Sequence, residues 1–136
     1  MSSLHRTRLG IVAVAAVGIA VSAYLTWVHY SGSLALCVGV GGCETVQASS
    51  YSQVLGVPVA LLGLAAYATI FATSLSRHEL AGAVAISVAL AGVGFAAYLL
   101  YVQLAVINAV CEWCLASDAV VTVLAVLTLL RLRAAD

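Results

Sequence analysis

Apolar residues fall in four blocks, approximately 9–30, 57–75, 80–106 and 115–131, separated by polar, basic or glycine-rich breaks. A membrane-crossing helix needs about 20 apolar residues, with a range near 17–25. Each block therefore predicts a span, and the fourth lies close to the short limit. The first block follows Arg6 and Arg8 but is longer than the roughly 7–15 residues of a secretory h-region. It ends in Tyr24, Trp27, His29 and Tyr30, an interfacial aromatic cluster, so it predicts a retained span. Small residues run through all four blocks, among them Ala13, Gly18, Gly63, Gly82, Gly92 and Gly94, and permit close helix approach. Gly18 and Ser22 lie four apart on one face.

The longest break, residues 31–56, has two parts. Gly32 to Gly42 is rich in glycine and predicts a flexible loop. Cys43 to Ser50 predicts a short helix, with Val46 and Ser49 three apart. A helix of that length is not stable alone, so it should lie on the membrane part and cover a cavity between the spans. A turn at Gly56 follows, and Pro58 is expected in the first turn of span 2, where its missing N–H costs nothing.

Composition agrees with this pattern. The chain of 136 residues is 65% hydrophobic and 7% charged, against roughly 25% charged in a soluble domain. Its mean hydropathy is +1.18. The expectation is an all-α membrane protein, a four-helix bundle forming one domain over residues 1–136. There is no lysine, so there is no basic face for nucleic acid, and the formal net charge is zero.

The arginines decide topology. Arg6 and Arg8 precede span 1, Arg77 lies between spans 2 and 3, and Arg131 and Arg133 follow span 4. With four spans, all five fall on one side. The positive-inside rule puts that side, with both termini, in the cytoplasm. The connections 31–56 and 107–114 then face outward, so Cys37, Cys43, Cys111 and Cys114 lie in the oxidising compartment.

Cys111-Glu112-Trp113-Cys114 opens directly into span 4. At a helix N-terminus the first thiol is stabilised as thiolate by unpaired N–H groups and the helix dipole. A catalytic redox pair fits this placement best. A purely structural disulfide would close too small a loop to stabilise much. Zinc with Cys37 and Cys43 would want four closed thiolate ligands, and outside the cell nothing keeps them reduced. Cys37 and Cys43 enclose five residues, three of them glycine. Alone they read as a loop staple; beside an outward redox pair they read as a relay. Asp118, one turn past Cys114, reads either as a solvated, dipole-pairing carboxylate or as a proton donor or hydrogen-bond partner in a site. Glu112 reads as surface, Trp113 and His29 as interface residues, and His5 and His78 as inert cytoplasmic residues.

The ordered set Cys37-x5-Cys43, Val46, Ser49, Tyr51-Ser52, Gly56-Val57-Pro58 and Cys111-x2-Cys114 opening the last span resembles the vitamin K epoxide reductase family, bacterial branch. Ser22-x-Tyr24-Leu25 and His29-Tyr30 look like the same family, and the resemblance covers essentially the whole chain. It implies a bundle with a quinone of the menaquinone or ubiquinone type in its outer half, and no metal. Cys114 would face the quinone, Cys111 would exchange with Cys43, and Cys37 would meet a partner. Ser49 and Tyr51 would belong to the lid helix, and Pro58, Leu62 and Asp118 to the quinone pocket or lid. Many bacterial members carry a thioredoxin-like domain after the last span. None follows here, so the implied partner is a separate DsbA-like thioredoxin-fold protein. The resemblance further implies a monomer in the inner (plasma) membrane of a bacterium.

Asp118 stands where animal members have a tyrosine near the quinone, and span 2 has no polar residue matching their asparagine. Both departures favour a simple quinone over vitamin K epoxide. The rival four-span quinone enzymes of the DsbB family carry their two-residue-gap pair in the first outer loop, whereas here it lies in the second. The alternative of another class is a tetraspan scaffold or carrier whose disulfides are structural.

Overall fold

A computed structural model describes residues 3–31, 53–54, 57–107 and 112–135. Cys37, Cys43, Cys111, Ser49, Tyr51, the turn at Gly56 and the expected lid helix over 43–50 lie outside the described residues. Four helices form the body: α1 (Ser3–Ser31), α2 (Val59–Ser74), α3 (Glu79–Tyr101) and α4 (Glu112–Ala135). Two short antiparallel strands, β1 (Gln53–Val54) and β2 (Val57–Pro58), lead into α2, with Gln53 opposite Pro58 and Val54 opposite Val57. Pro58 is therefore a strand residue at the N-cap of α2, not part of its first turn.

Three stretches are long and apolar enough to cross a membrane: His5–Val28, Glu79–Val106 and Trp113–Arg133. The expected shortage in span 4 is corrected. That helix is long, and α2, with 16 residues, is the short one. Span 3 also differs from a plain helix, because its last six residues, Val102–Ile107, wind as a π-helix.

The helices pack in a ring. α1 and α3 each contact both α2 and α4, which places α2 and α4 on a diagonal. The core is built from all four: Ile11 and Ala15, Tyr67 and Ile70, Ala89, and Val121 and Leu124. Apolar burial fills this centre, while lipid-facing positions such as Leu90, Val126 and Leu129 stay exposed. α3 and α4 approach closely at Gly92, where an added Cβ would stand 2.7 Å from Val121 Cγ2. Hydroxyls within the helices fold back on their own carbonyls, as Thr128 Oγ1 does on Leu124 O at 2.8 Å.

The short α2 explains two arginines. At about 1.5 Å per residue it is roughly 24 Å long, less than a hydrocarbon core of about 30 Å. The last carbonyls of a helix have no partner of their own, and without water they are costly. Arg8 of α1 donates from Nε to Ser74 O and from Nη2 to Leu75 O, each at 3.1 Å. Arg131 of α4 donates from Nη2 to Ser76 O at 2.6 Å and from Nη1 to Thr73 O at 3.5 Å. Arg131 is only 7% exposed. These arginines close the end of α2 as well as biasing topology. His78, expected to be inert, caps the next helix: its Nδ1 accepts from the Leu80 N–H at 3.1 Å.

Candidate functional site

The end of the bundle opposite those arginines carries the start of α4. Trp113 packs there on Tyr24 of α1, with ring centroids 4.9 Å apart and planes tilted by 45°. Trp113 is thus a packing partner between helices, not simply an interface anchor. The contact fixes the first turn of α4, the turn that bears Cys114. Cys111, the residue before α4 begins, is outside the described residues.

Cys114 opens onto a cavity of about 500 Å³ inside the bundle, within the roughly 300–1,000 Å³ of small-molecule sites. Its walls are mostly apolar. α2 contributes the face from Val59 to Ile70, α3 the face from Val88 to Leu99, and α1 Ser22 and Leu25. Tyr67, Ile70 and Val121 belong both to the core and to this lining, so the packed centre of the bundle is the cavity floor. Leu62 on α2 and Phe95 on α3 line the cavity yet are exposed to the outside. The cavity therefore opens sideways between these two helices.

The polar lining gathers on α4. Cys114, Ser117 and Asp118 all face the cavity, as residues three and four apart on a helix should. Asp118 Oδ2 is buried without a hydrogen-bond partner among the described residues. A buried polar atom left unpaired is rare in a folded protein and marks a place where another group belongs. Tyr67 reaches across the diagonal of the bundle, its Oη 2.9 Å from Ser117 O and 2.7 Å from Ser117 Oγ. Gln103 completes the polar set from the π-helical turn and is 2% exposed. Single π turns occur often at functional sites, because they re-aim a side chain.

Of the residues singled out in the sequence, Cys114, Leu62 and Asp118 come together on this cavity. Pro58 is buried in β2 and is not among the lining residues. Sequence reasoning missed Tyr67, Ser117, Gln103 and Ser22 as lining groups. The one available signal was a polar residue inside an apolar span, which is costly there and calls for a partner. Among the described residues no group of three or more His, Cys, Asp or Glu could hold a metal ion.

The arrangement offers a redox-capable sulfur at the wall of an apolar chamber that opens towards lipid, with an unpaired carboxyl oxygen one turn away. Such a chamber suits an apolar small molecule that carries a few polar atoms. The sequence model of the vitamin K epoxide reductase family matches residues 9–129, which takes in all four helices and the cavity. The chain belongs to the vitamin K epoxide reductase family, and with it to the membrane thiol oxidoreductases.

Proposed function

We propose that the protein is a quinone-dependent thiol oxidoreductase that generates disulfides in a DsbA-like thioredoxin-fold partner. Cys37 receives the partner's electrons by disulfide exchange, leaving Cys37 and Cys43 as thiols. Cys43 then attacks Cys111 of the Cys111–Cys114 disulfide, the sulfur displaced is Cys114, and Cys37 closes back onto Cys43 to release Cys111. Each cycle turns one partner dithiol into a disulfide and delivers two electrons and two protons. A bound quinone is the two-electron, two-proton acceptor for that pair. Asp118 with its carboxyl protonated would donate from Oδ2 to a quinone oxygen, the Gln103 amide offers a second polar group on the lining, and Leu62 and Phe95 would flank a lipid tail at the side opening.

The observation that carries this reading is Cys114 on the wall of an apolar cavity, with the unpaired Asp118 Oδ2 on the same face of α4. A scaffold with a structural disulfide has no need of such a chamber beside its sulfur. Arg8 and Arg131, which close the far end of the bundle, support a cytoplasmic arginine end and an outward cysteine end. The setting is then the plasma membrane of a bacterium.

The test uses the whole protein in lipid nanodiscs, with a short-chain quinone and a reduced DsbA-like protein, following quinone absorbance and partner thiols together. One quinone should be reduced per partner disulfide formed, and Cys114→Ala should abolish both. Partner oxidation at the same rate without quinone would overturn the assignment.

A further inference from the structure

One arrangement of the hydroxyl protons serves both contacts between Tyr67 and Ser117. Tyr67 Oη lies 2.9 Å from Ser117 O and 2.7 Å from Ser117 Oγ. A phenol carries one proton, and a carbonyl oxygen can only accept. The Tyr67 proton therefore goes to Ser117 O, and the 2.7 Å contact is made by the proton of the Ser117 hydroxyl. The reverse assignment would press two acceptor oxygens together at 2.9 Å with no proton between them. Both protons are thus engaged within the pair.

Ser117 also lies three residues after Cys114, and both line the cavity. Side chains at that spacing have Cβ atoms about 5–6 Å apart, close enough for an O–H to reach a sulfur. Tyr67 cannot easily let go. It is 3% exposed, and its ring is seated on Gly18 of α1, where even a Cβ would meet it at 2.6 Å.

We infer that Tyr67 is a positioning residue that holds the Ser117 hydroxyl proton away from Cys114 and thereby makes the Cys111–Cys114 pair more reducing than it would otherwise be. The inference rests on the proposed role of that pair as the donor to quinone. With the Tyr67 oxygen gone, the Ser117 hydroxyl is released on the face that carries Cys114. A hydrogen bond from it to a Cys114 thiolate would be charge-assisted and would stabilise the reduced state alone. The pair would then be easier to reduce and slower to give its two electrons away.

The experiment equilibrates the full-length protein, in nanodiscs without quinone, against dithiothreitol redox buffers and traps Cys111 and Cys114 for peptide mapping. Tyr67→Phe keeps the ring on Gly18 and removes only the oxygen. It should shift the equilibrium towards the reduced pair by about tenfold, near the lower end for a hydrogen bond to a charged group, which is roughly 30 mV for a two-electron couple. With a short-chain quinone, kcat should fall by a similar factor while KM holds. Adding Ser117→Ala removes the donor and should return the potential to the wild-type value, a rescue that a merely structural role would not give. Tyr67→Leu, a second variant lacking the oxygen, should shift in the same direction as Tyr67→Phe. An unchanged or lowered potential in Tyr67→Phe, or a double variant as shifted as the single one, overturns the inference. If the wild type passes no electrons to quinone, the proposed function falls, while the potentials, measured without quinone, still decide the role of Tyr67.

Discussion

Gly18 of α1 and Tyr67 of α2 share one space: a Cβ at Gly18 would stand 2.6 Å from Tyr67 Cδ1 and 2.8 Å from Cε1 and Cγ. The ring has no retreat, because its far end is tied to Ser117 across the bundle. Gly18→Ala should therefore part α1 from α2 and loosen the cavity floor. The expected loss is about 1–3 kcal/mol, typical of overpacking. It should appear as a lower Tm in detergent, with weaker quinone binding. Gly94→Ala is the control, since nothing lies within 4 Å of its would-be Cβ. Alanine there should be neutral or gain roughly 0.5–1 kcal/mol of helix preference. Equal melting temperatures for the two variants would refute the close approach.

The guanidinium of Arg131 bridges two carbonyls at the end of α2, and its side chain is buried. Lysine has no rigid fork and cannot hold both oxygens in the same way. Arg131→Lys should destabilise the bundle modestly. Arg131→Met should cost about 1.5–3 kcal/mol, the range for a hydrogen bond to a charged group. Thermal melting in detergent reads both. Wild-type stability for Arg131→Met would show that water satisfies those carbonyls.

The same contacts bear on the proposed sidedness. Arg8, Arg131 and the turn holding Arg77 meet at one end of the bundle, and the start of α4 stands at the other. A membrane-impermeant maleimide should label reduced Cys37 or Cys43 from outside intact cells. A cysteine placed at the exposed Arg77 should react only after permeabilisation. Labelling in the opposite order would invert the orientation.

The coarse architecture was legible because hydropathy is a property of whole segments: four apolar blocks gave four helices, with the arginines at one end. Boundaries were harder to see. The apolar run through Val57 and Pro58 continues smoothly into α2, so nothing in its hydropathy marks where strand pairing ends and helix begins. The π-helical turn at Val102–Ile107 has no composition of its own. Glycines were read as a group, yet Gly18 and Gly92 are close contacts and Gly94 faces open space. Only helix rotation separates them. Cys114 and Asp118 could be proposed from spacing along one helix. Tyr67 and Ser117 could not be paired, because their contact spans 50 residues and the diagonal of the bundle.

The order of electron flow is the most demanding prediction. Disulfide exchange needs a thiolate to attack one particular sulfur, with the other leaving as thiolate. Among the described residues Cys114 is the sulfur that lines the cavity, and it is followed on the same face by Ser117 and Asp118. It is therefore the one that should be released beside the acceptor, which makes Cys111 the sulfur under attack. In Cys114→Ala the Cys111 thiolate can still attack Cys43 of the Cys37–Cys43 disulfide, displacing Cys37 as thiolate, and with no Cys114 to resolve the product a Cys43–Cys111 disulfide should accumulate. Cys43→Ala should block turnover while leaving quinone binding intact, since among the described residues the cavity lining comes from the helices. A partner lacking its resolving cysteine should be captured on Cys37. Peptide mapping of the trapped species decides among these. If Cys114→Ala instead pairs Cys37 with Cys111, the relay runs in a different order. If it accumulates no mixed disulfide at all, Cys111 is not the attacked sulfur, and the place of Cys114 on the cavity wall needs another explanation.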